Sequence, residues 1–216
     1  QKLLLKGSDV FDPLSDIRTD DLGKSWSAIR EYPETLGRRN EPNGVVVGAC
    51  YFTPQWHART GKLLGIGQTV RYLNNKVMDK RQHETCYAIY DEKAKTWSAW
   101  KTLVMPDHPK FYAAGAGSAQ RVDLANGDIL LPIYFKGKDD PHYRVTVARC
   151  TFDGTTMKYV EHGDEFELKS GRGLFEPSIT RFGKKHYLTM RNDTAGYVSV
   201  GDGGLHFSKP KRWNWD

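Results

Sequence analysis

The chain has 216 residues, of which 38% are hydrophobic, 27% charged and 12% aromatic, an ordinary globular composition long enough for one sizeable core or two small ones. No apolar run approaches the roughly 20 residues of a membrane-spanning helix, and no low-complexity tract suggests extended disorder. Lys and Arg outnumber Asp and Glu by 32 to 26, and the resulting charge of +6 favours anionic partners, leaving acidic sugars, sulfated glycans and nucleic acid open.

In chain order, Leu3-Leu4-Leu5 reads as a short apolar strand that runs into an acidic loop carrying Asp9 and Asp12. The next segment, Thr19-Asp20-Asp21-Leu22-Gly23-Lys24-Ser25-Trp26, sets a hydroxyl residue, Asp, Gly, a second hydroxyl residue and Trp at the offsets of a complete Asp-box turn. Such a turn needs an Asp side chain to accept backbone N–H groups, a Gly for the unusual φ, and a Trp that packs back onto its own sheet. Three further segments then repeat one plan. Gly61, Gly127 and Gly183 each precede a mixed apolar strand, and a second strand follows over 84–90, 143–152 and 196–200. A polar turn and an aromatic residue close each unit, near Trp97, Tyr159 and Phe207. The turns carry weaker copies of the motif: Asp202, Gly204 and Phe207; Glu92, Ala94, Thr96 and Trp97; and Asp153-Gly154.

Strand patterns dominate, helix periodicity is absent, and 21 Gly and 10 Pro punctuate the chain. Repeats of about 40–50 residues with four strands each predict an all-β propeller of antiparallel blades. The predicted blades are 2–31, 45–103, 111–168 and 174–216, about three and a half blades of a ring that is expected to continue in a longer protein. Cys50, Cys86 and Cys150 lack CxxC spacing and read as small core residues. His83, His108, His142, His162, His186 and His206 lack metal-ligand spacing, so neither a metal nor a cofactor is expected. Lys184-Lys185 and Lys209-Pro210-Lys211-Arg212 are short runs without a nucleic-acid motif and read as solvated turns. The chain begins at Gln1 without a recognisable signal sequence, so any export signal is expected upstream or already removed.

The complete Asp-box, together with Phe175-Glu176-Pro177-Ser178-Ile179 and Tyr187-Leu188-Thr189-Met190-Arg191-Asn192, resembles the sialidase (neuraminidase) superfamily of BNR-repeat propellers, six-bladed when complete. The resemblance implies an exo-glycoside hydrolase acting on terminal acidic sugars of glycans, secreted or periplasmic. It places Glu176 at the start of one fourth-blade strand and Arg191 at the end of the next, both facing a central pocket. Asp9 takes the place of the acid/base residue, with Asp12 in reserve. Glu176 would activate a phenol nucleophile, Asp9 would protonate the leaving oxygen, and Arg191 would hold the sugar carboxylate in a bidentate pair. The family also uses a tyrosine nucleophile from the last blade and two further arginines, which this chain is not expected to supply. Gln120 is expected at the third-blade position equivalent to Glu176, with Phe135 equivalent to Arg191, and His57 at a strand end beside Trp56 is a candidate sugar contact. Each has a plainer reading: Glu176-Pro177 as a strand start, Asp9 as part of a solvated acidic cluster, Gln120 as packing, and His57 as a satisfied core or rim residue. A carbohydrate-binding propeller without hydrolytic activity, or a polysaccharide-processing relative with a different pocket, is the alternative function.

Overall fold

The computed structural model describes residues 9–11, 13–80 and 82–214. The expected strand at Leu3–Leu5 and the reserve residue Asp12 lie outside the described residues. Among those described, regular structure is antiparallel β apart from a single helical turn, Pro33–Leu36, and the 3-10 turns Pro42–Gly44 and Pro109–Phe111.

The strands form four sheets. The first joins only Ser15–Asp16 to Arg30–Glu31. The second runs Arg39–Asn40, Val45–His57, Lys62–Leu73, Thr85–Asp91 and Thr96–Trp97 in spatial as well as chain order. In the third, Ala113–Gly115, Ile129–Lys136, Arg144–Phe152 and Met157–His162 follow one another, and in the fourth Phe175–Phe182, Lys185–Arg191, Gly196–Gly201 and Lys211–Arg212 do the same. These are meanders, in which the strands follow one another across each sheet in chain order, antiparallel throughout. The hairpins entering the second long strand of each meander turn at Gly61, Gly127 and Gly183, with φ of 61°, 91° and 60°, left-handed values that cost glycine nothing.

Burial explains why the strand sequences differ. Ile129-Leu-Leu-Pro-Ile-Tyr-Phe135 is buried at every position because both faces of the third sheet are covered. Ile129, Leu131 and Ile133 pack with Leu64, Ile66 and Tyr87 of the second sheet. Leu130 and Tyr134 pack with Ile179, Leu188 and Met190 of the fourth. The fourth sheet's Lys185–Arg191 strand instead alternates, burying His186, Leu188 and Met190 and leaving Lys185 and Arg191 exposed. Polar clamps close the seam between the second and third sheets. Arg121, 4% exposed, pairs with Asp123 at 2.8 Å and donates to the carbonyls of Leu64 at 2.9 Å and Gln55 at 3.1 Å. Cys50, Cys86 and Cys150 are buried, and burial pushes the Cys86 and Cys150 thiols up to about 12.

The turn at 19–26 has the expected hydrogen bonds but not the expected packing. Asp21 accepts from the Ser25 N–H at 2.9 Å and from the Ser25 hydroxyl at 2.7 Å, while the Gly23 N–H donates to the Thr19 hydroxyl at 2.8 Å. Led by the Ser25 N–H, these bonds hold the Asp21 carboxyl down at about 2. Trp26, however, is 57% exposed, because its own sheet is two residues long and offers no face to pack on. In the degenerate copy at 92–97 the capping carboxylate is Asp91 rather than Glu92, and it accepts from the N–H groups of Lys93 and Ala94. Asp153 caps Thr155 and Thr156 in the same way. Asp202 makes no such turn and pairs with Lys185 at 2.6 Å.

Candidate functional site

The first long strand of each meander is interrupted at the same level. In the second sheet the register breaks between Cys50, opposite Gln68, and Thr53, opposite Ile66. In the fourth it breaks between Phe175, opposite Arg191, and Ser178, opposite Thr189. In the third sheet, Gly115 pairs with Tyr134, and pairing to the same strand resumes only at Val122. At these breaks Tyr51, Ser118 and Glu176 adopt φ of 52°, 58° and 49°, and Asp9 in the incoming segment has φ of 64°. Left-handed backbone at a non-glycine residue costs about 1–2 kcal/mol, and it recurs at the interrupted strands.

At this level lies a pocket of about 320 Å³ whose lining includes Asp9, Tyr51, Gln68, Tyr134, Glu176 and Arg191. It is at the small end of the about 300–1,000 Å³ typical of ligand sites, room for a single sugar-sized ligand. A wider groove of about 950 Å³ follows 102–112 and 137–140, but Asp9, Glu176 and Arg191 all line the smaller pocket.

Asp9 is placed by a clamp on its own segment. The Tyr72 hydroxyl donates to the Asp9 carbonyl at 2.8 Å and accepts from the Phe11 N–H at 3.1 Å, while the Arg38 guanidinium donates to the Phe11 carbonyl and lies 4.1 Å from the centre of the Tyr72 ring. The Tyr51 phenol then donates to Asp9 Oδ1 at 2.5 Å. Burial first, and the hydrogen bond to Asp9 second, push the Tyr51 hydroxyl well above the ordinary phenol range.

Across the pocket, Glu176 accepts a two-pronged pair from Arg191, Nε to Oε2 at 2.5 Å and Nη2 to Oε1 at 2.9 Å. The hydrogen bond from Glu176 raises the Arg191 guanidinium above its usual value. The guanidinium also lies 4.3 Å from the Phe175 ring centre, and Arg172 rests on the same ring at 4.3 Å while pairing with Asp193 at 2.7 Å. His83, 5% exposed, packs against Tyr134 and Tyr143 with ring centres 4.8 Å and 5.7 Å apart. The pocket thus gathers two carboxylates, three phenols, two guanidiniums and an imidazole.

Asp9, Glu176 and Arg191 are therefore brought together, whereas Gln120 and His57 lie elsewhere. Gln120 is exposed and serves the seam between the third and fourth sheets, its N–H donating to the Ser178 hydroxyl at 2.9 Å and its carbonyl accepting from the Ile179 N–H at 3.1 Å. The register puts Tyr134, not Phe135, at the position equivalent to Arg191; Phe135 is fully buried against Phe111. His57 is fully buried, its ring nitrogens 2.8 Å from the Thr60 hydroxyl and 2.9 Å from the Gly127 carbonyl, with Phe152 edge-on at 5.2 Å. It ties two sheets together and has no free edge for a sugar. The pocket residues the motifs did not indicate include Tyr51, Gln68, His83, Tyr134, Tyr143 and Arg172. A signal for three wall residues was present: Gln68 and Tyr134 stand seven residues after Gly61 and Gly127, and Arg191 eight after Gly183.

Neither a family model nor a curated protein matches the sequence. Solved structures do match the fold. A family 117 glycoside hydrolase from the marine bacterium Zobellia galactanivorans superposes with a TM-score of 0.60 at 14% identity, covering 83% of this chain and 60% of that one. Trypanosoma rangeli sialidase bound to the inhibitor DANA gives 0.58 at 14% identity over 87% of this chain and 31% of its own. A GH43 β-1,3-galactosidase bound to galactodeoxynojirimycin gives 0.53 at 11% identity over 92% and 66%. The chain therefore spans only 60% and 31% of the first two. At these identities the likeness is one of architecture, and the protein has an all-β, propeller-type fold of the kind found in glycoside hydrolases.

Proposed function

We propose that the chain forms part of a sialidase-like exo-glycoside hydrolase acting on a terminal acidic sugar of a glycan, with its second, third and fourth sheets as successive propeller blades. The single observation that carries this reading is the meeting of an Asp9–Tyr51 pair and a Glu176–Arg191 pair in one sugar-sized pocket. A carboxylated sugar meets Arg191, with Arg172 beside it, and competes with Glu176 for the guanidinium. Losing that partner leaves Glu176 free to take a proton from a phenol or water, whose oxygen then bonds to the anomeric carbon as the glycosidic C–O bond breaks and a protonated Asp9 gives its proton to the leaving oxygen. Side chains, the sugar and water supply every group in this step, so the proposal includes no cofactor. Its setting is secreted or periplasmic, where terminal glycan sugars are met.

A non-hydrolytic carbohydrate-binding role is the second reading. It is favoured by the mutual satisfaction of Glu176 and Arg191, a pairing that suits recognition as well as turnover. The test is incubation of the protein with aryl glycosides of N-acetylneuraminic, glucuronic and galacturonic acids beside the matching neutral sugars. Aryl alcohol released from carboxylated glycosides alone supports the hydrolase. No release, with free acidic sugar still binding by calorimetry, rejects hydrolysis in favour of the binder; neither release nor binding rejects both.

A further inference from the structure

Gln68 is 7% exposed, lines the pocket, and its Oε1 is buried with no hydrogen-bond partner among the described residues. Its strand sends Leu64 and Ile66 into the core shared with the third sheet. Gln68 continues that alternate row, which turns polar where it reaches the pocket. The third sheet makes room for it. A Cβ on Gly117 would stand 2.5 Å from Gln68 Oε1, and one on Gly115 would stand 2.8 Å from it, so any side chain at either position would collide with the carboxamide. The carboxamide also lies beside the Tyr134 phenol.

Register gives the position its meaning. Gln68, Tyr134 and Arg191 pair with the residues just before the break in the first strand of three consecutive sheets, namely Cys50, Gly115 and Phe175. All three line the same pocket. One structural position, repeated three times, thus supplies an amide, a phenol and a guanidinium to a common space. A buried amide oxygen left unpaired is unfavourable for the fold, and the pocket beside it is where that cost is recovered.

Resting on the reading of the pocket as an acidic-sugar site, we infer that Gln68 is a specificity-determining residue whose Oε1 accepts a hydrogen bond from a hydroxyl of the bound sugar, while Arg191 at the matching register takes the carboxylate. The terminal amide torsion is soft, so the oxygen turns to the ligand without moving the strand.

The test compares Gln68→Leu with the unaltered chain in two measurements: thermal melting, and calorimetric binding of N-acetylneuraminic, glucuronic and galacturonic acids. Removing an unpaired buried amide leaves Tm unchanged or raised, and the acid that the unaltered chain binds loses about tenfold or more in affinity. A fall in Tm of more than about 4 °C would make Gln68 a structural residue and overturn the inference. Unchanged affinity for a bound acid overturns it as well, with the acidic-sugar reading intact. Absence of binding by the unaltered chain removes that reading and the inference with it.

Discussion

The carboxylates of the hairpin turns and those of the pocket are held in different ways. Asp21, Asp91 and Asp153 accept from backbone N–H groups within their own turns. Asp9 and Glu176 are held by side chains from other parts of the chain, the Tyr51 phenol and the Arg191 guanidinium. A backbone donor is fixed once the turn forms, so the outer carboxylates have nothing left to exchange. A side-chain donor can be taken over by a ligand carrying its own charge. The backbone repeats the contrast: Tyr51 and Glu176 hold left-handed φ within strands, where a regular ladder would not require it. The first group is locked by its own turns, and the second is held by side chains that a ligand can displace.

Substitutions can break that contrast at either end. The largest effect is expected from Glu176→Gln, which keeps the shape and removes the charge. Turnover of a carboxylated aryl glycoside should fall about 10²–10⁴-fold, the range for loss of a proton-transfer group, while circular dichroism and sugar binding persist. Unchanged turnover would put Glu176 with the structural carboxylates. Arg191→Lys keeps the charge but not the two-pronged geometry, and steady-state kinetics should give a KM about tenfold higher or more for acidic substrates with a smaller change in kcat. An equal loss in kcat and kcat/KM would mean that Arg191 acts on the transition state instead.

On the structural side, His57→Ala removes a buried ring and strands two polar partners. Denaturant unfolding should register a loss of about 2–4 kcal/mol, with KM unaltered in the folded fraction. The smallest effect is expected from Asp21→Asn. The Asp21 carboxyl is depressed from 3.8 to about 2 in the folded chain, so its stabilisation is present above pH 3.8 and is lost as pH falls through about 2. Melting curves should therefore separate the two proteins slightly at neutral pH and coincide in strong acid. A separation that grows on acidification would contradict the turn assignment.

The architecture was legible because its signals are local. A turn glycine, a period-two strand and an Asp-capped hairpin each act within about ten residues, and they recur. Glu176 and Arg191 were legible for a related reason, since adjacent strands of one hairpin bring them together. The rest of the pocket depends on register shifts that no hydrophobic pattern marks. In the third sheet the segment 116–121 interrupts the first strand, so counting along the chain runs past the break to Gln120 and reaches Phe135 where pairing places Tyr134. Tyr51 enters through a bulge, and Arg172 from the loop before Phe175, where neither residue type nor spacing distinguishes it from a surface arginine. Trp26 was misjudged because the motif fixes the turn but not the width of the sheet behind it.

Cys86 and Cys150, with thiols raised to about 12, bear on where such a protein can work. Disulfide exchange proceeds through the thiolate, and at neutral pH a thiol titrating near 12 is ionised in only about one molecule in 10⁵. Enclosed between sheets, both sulfurs are also out of reach of small oxidants and of one another's partners in mispairing. These two thiols are thereby poor partners for disulfide exchange, and the packing around them does not depend on a covalent link between sheets.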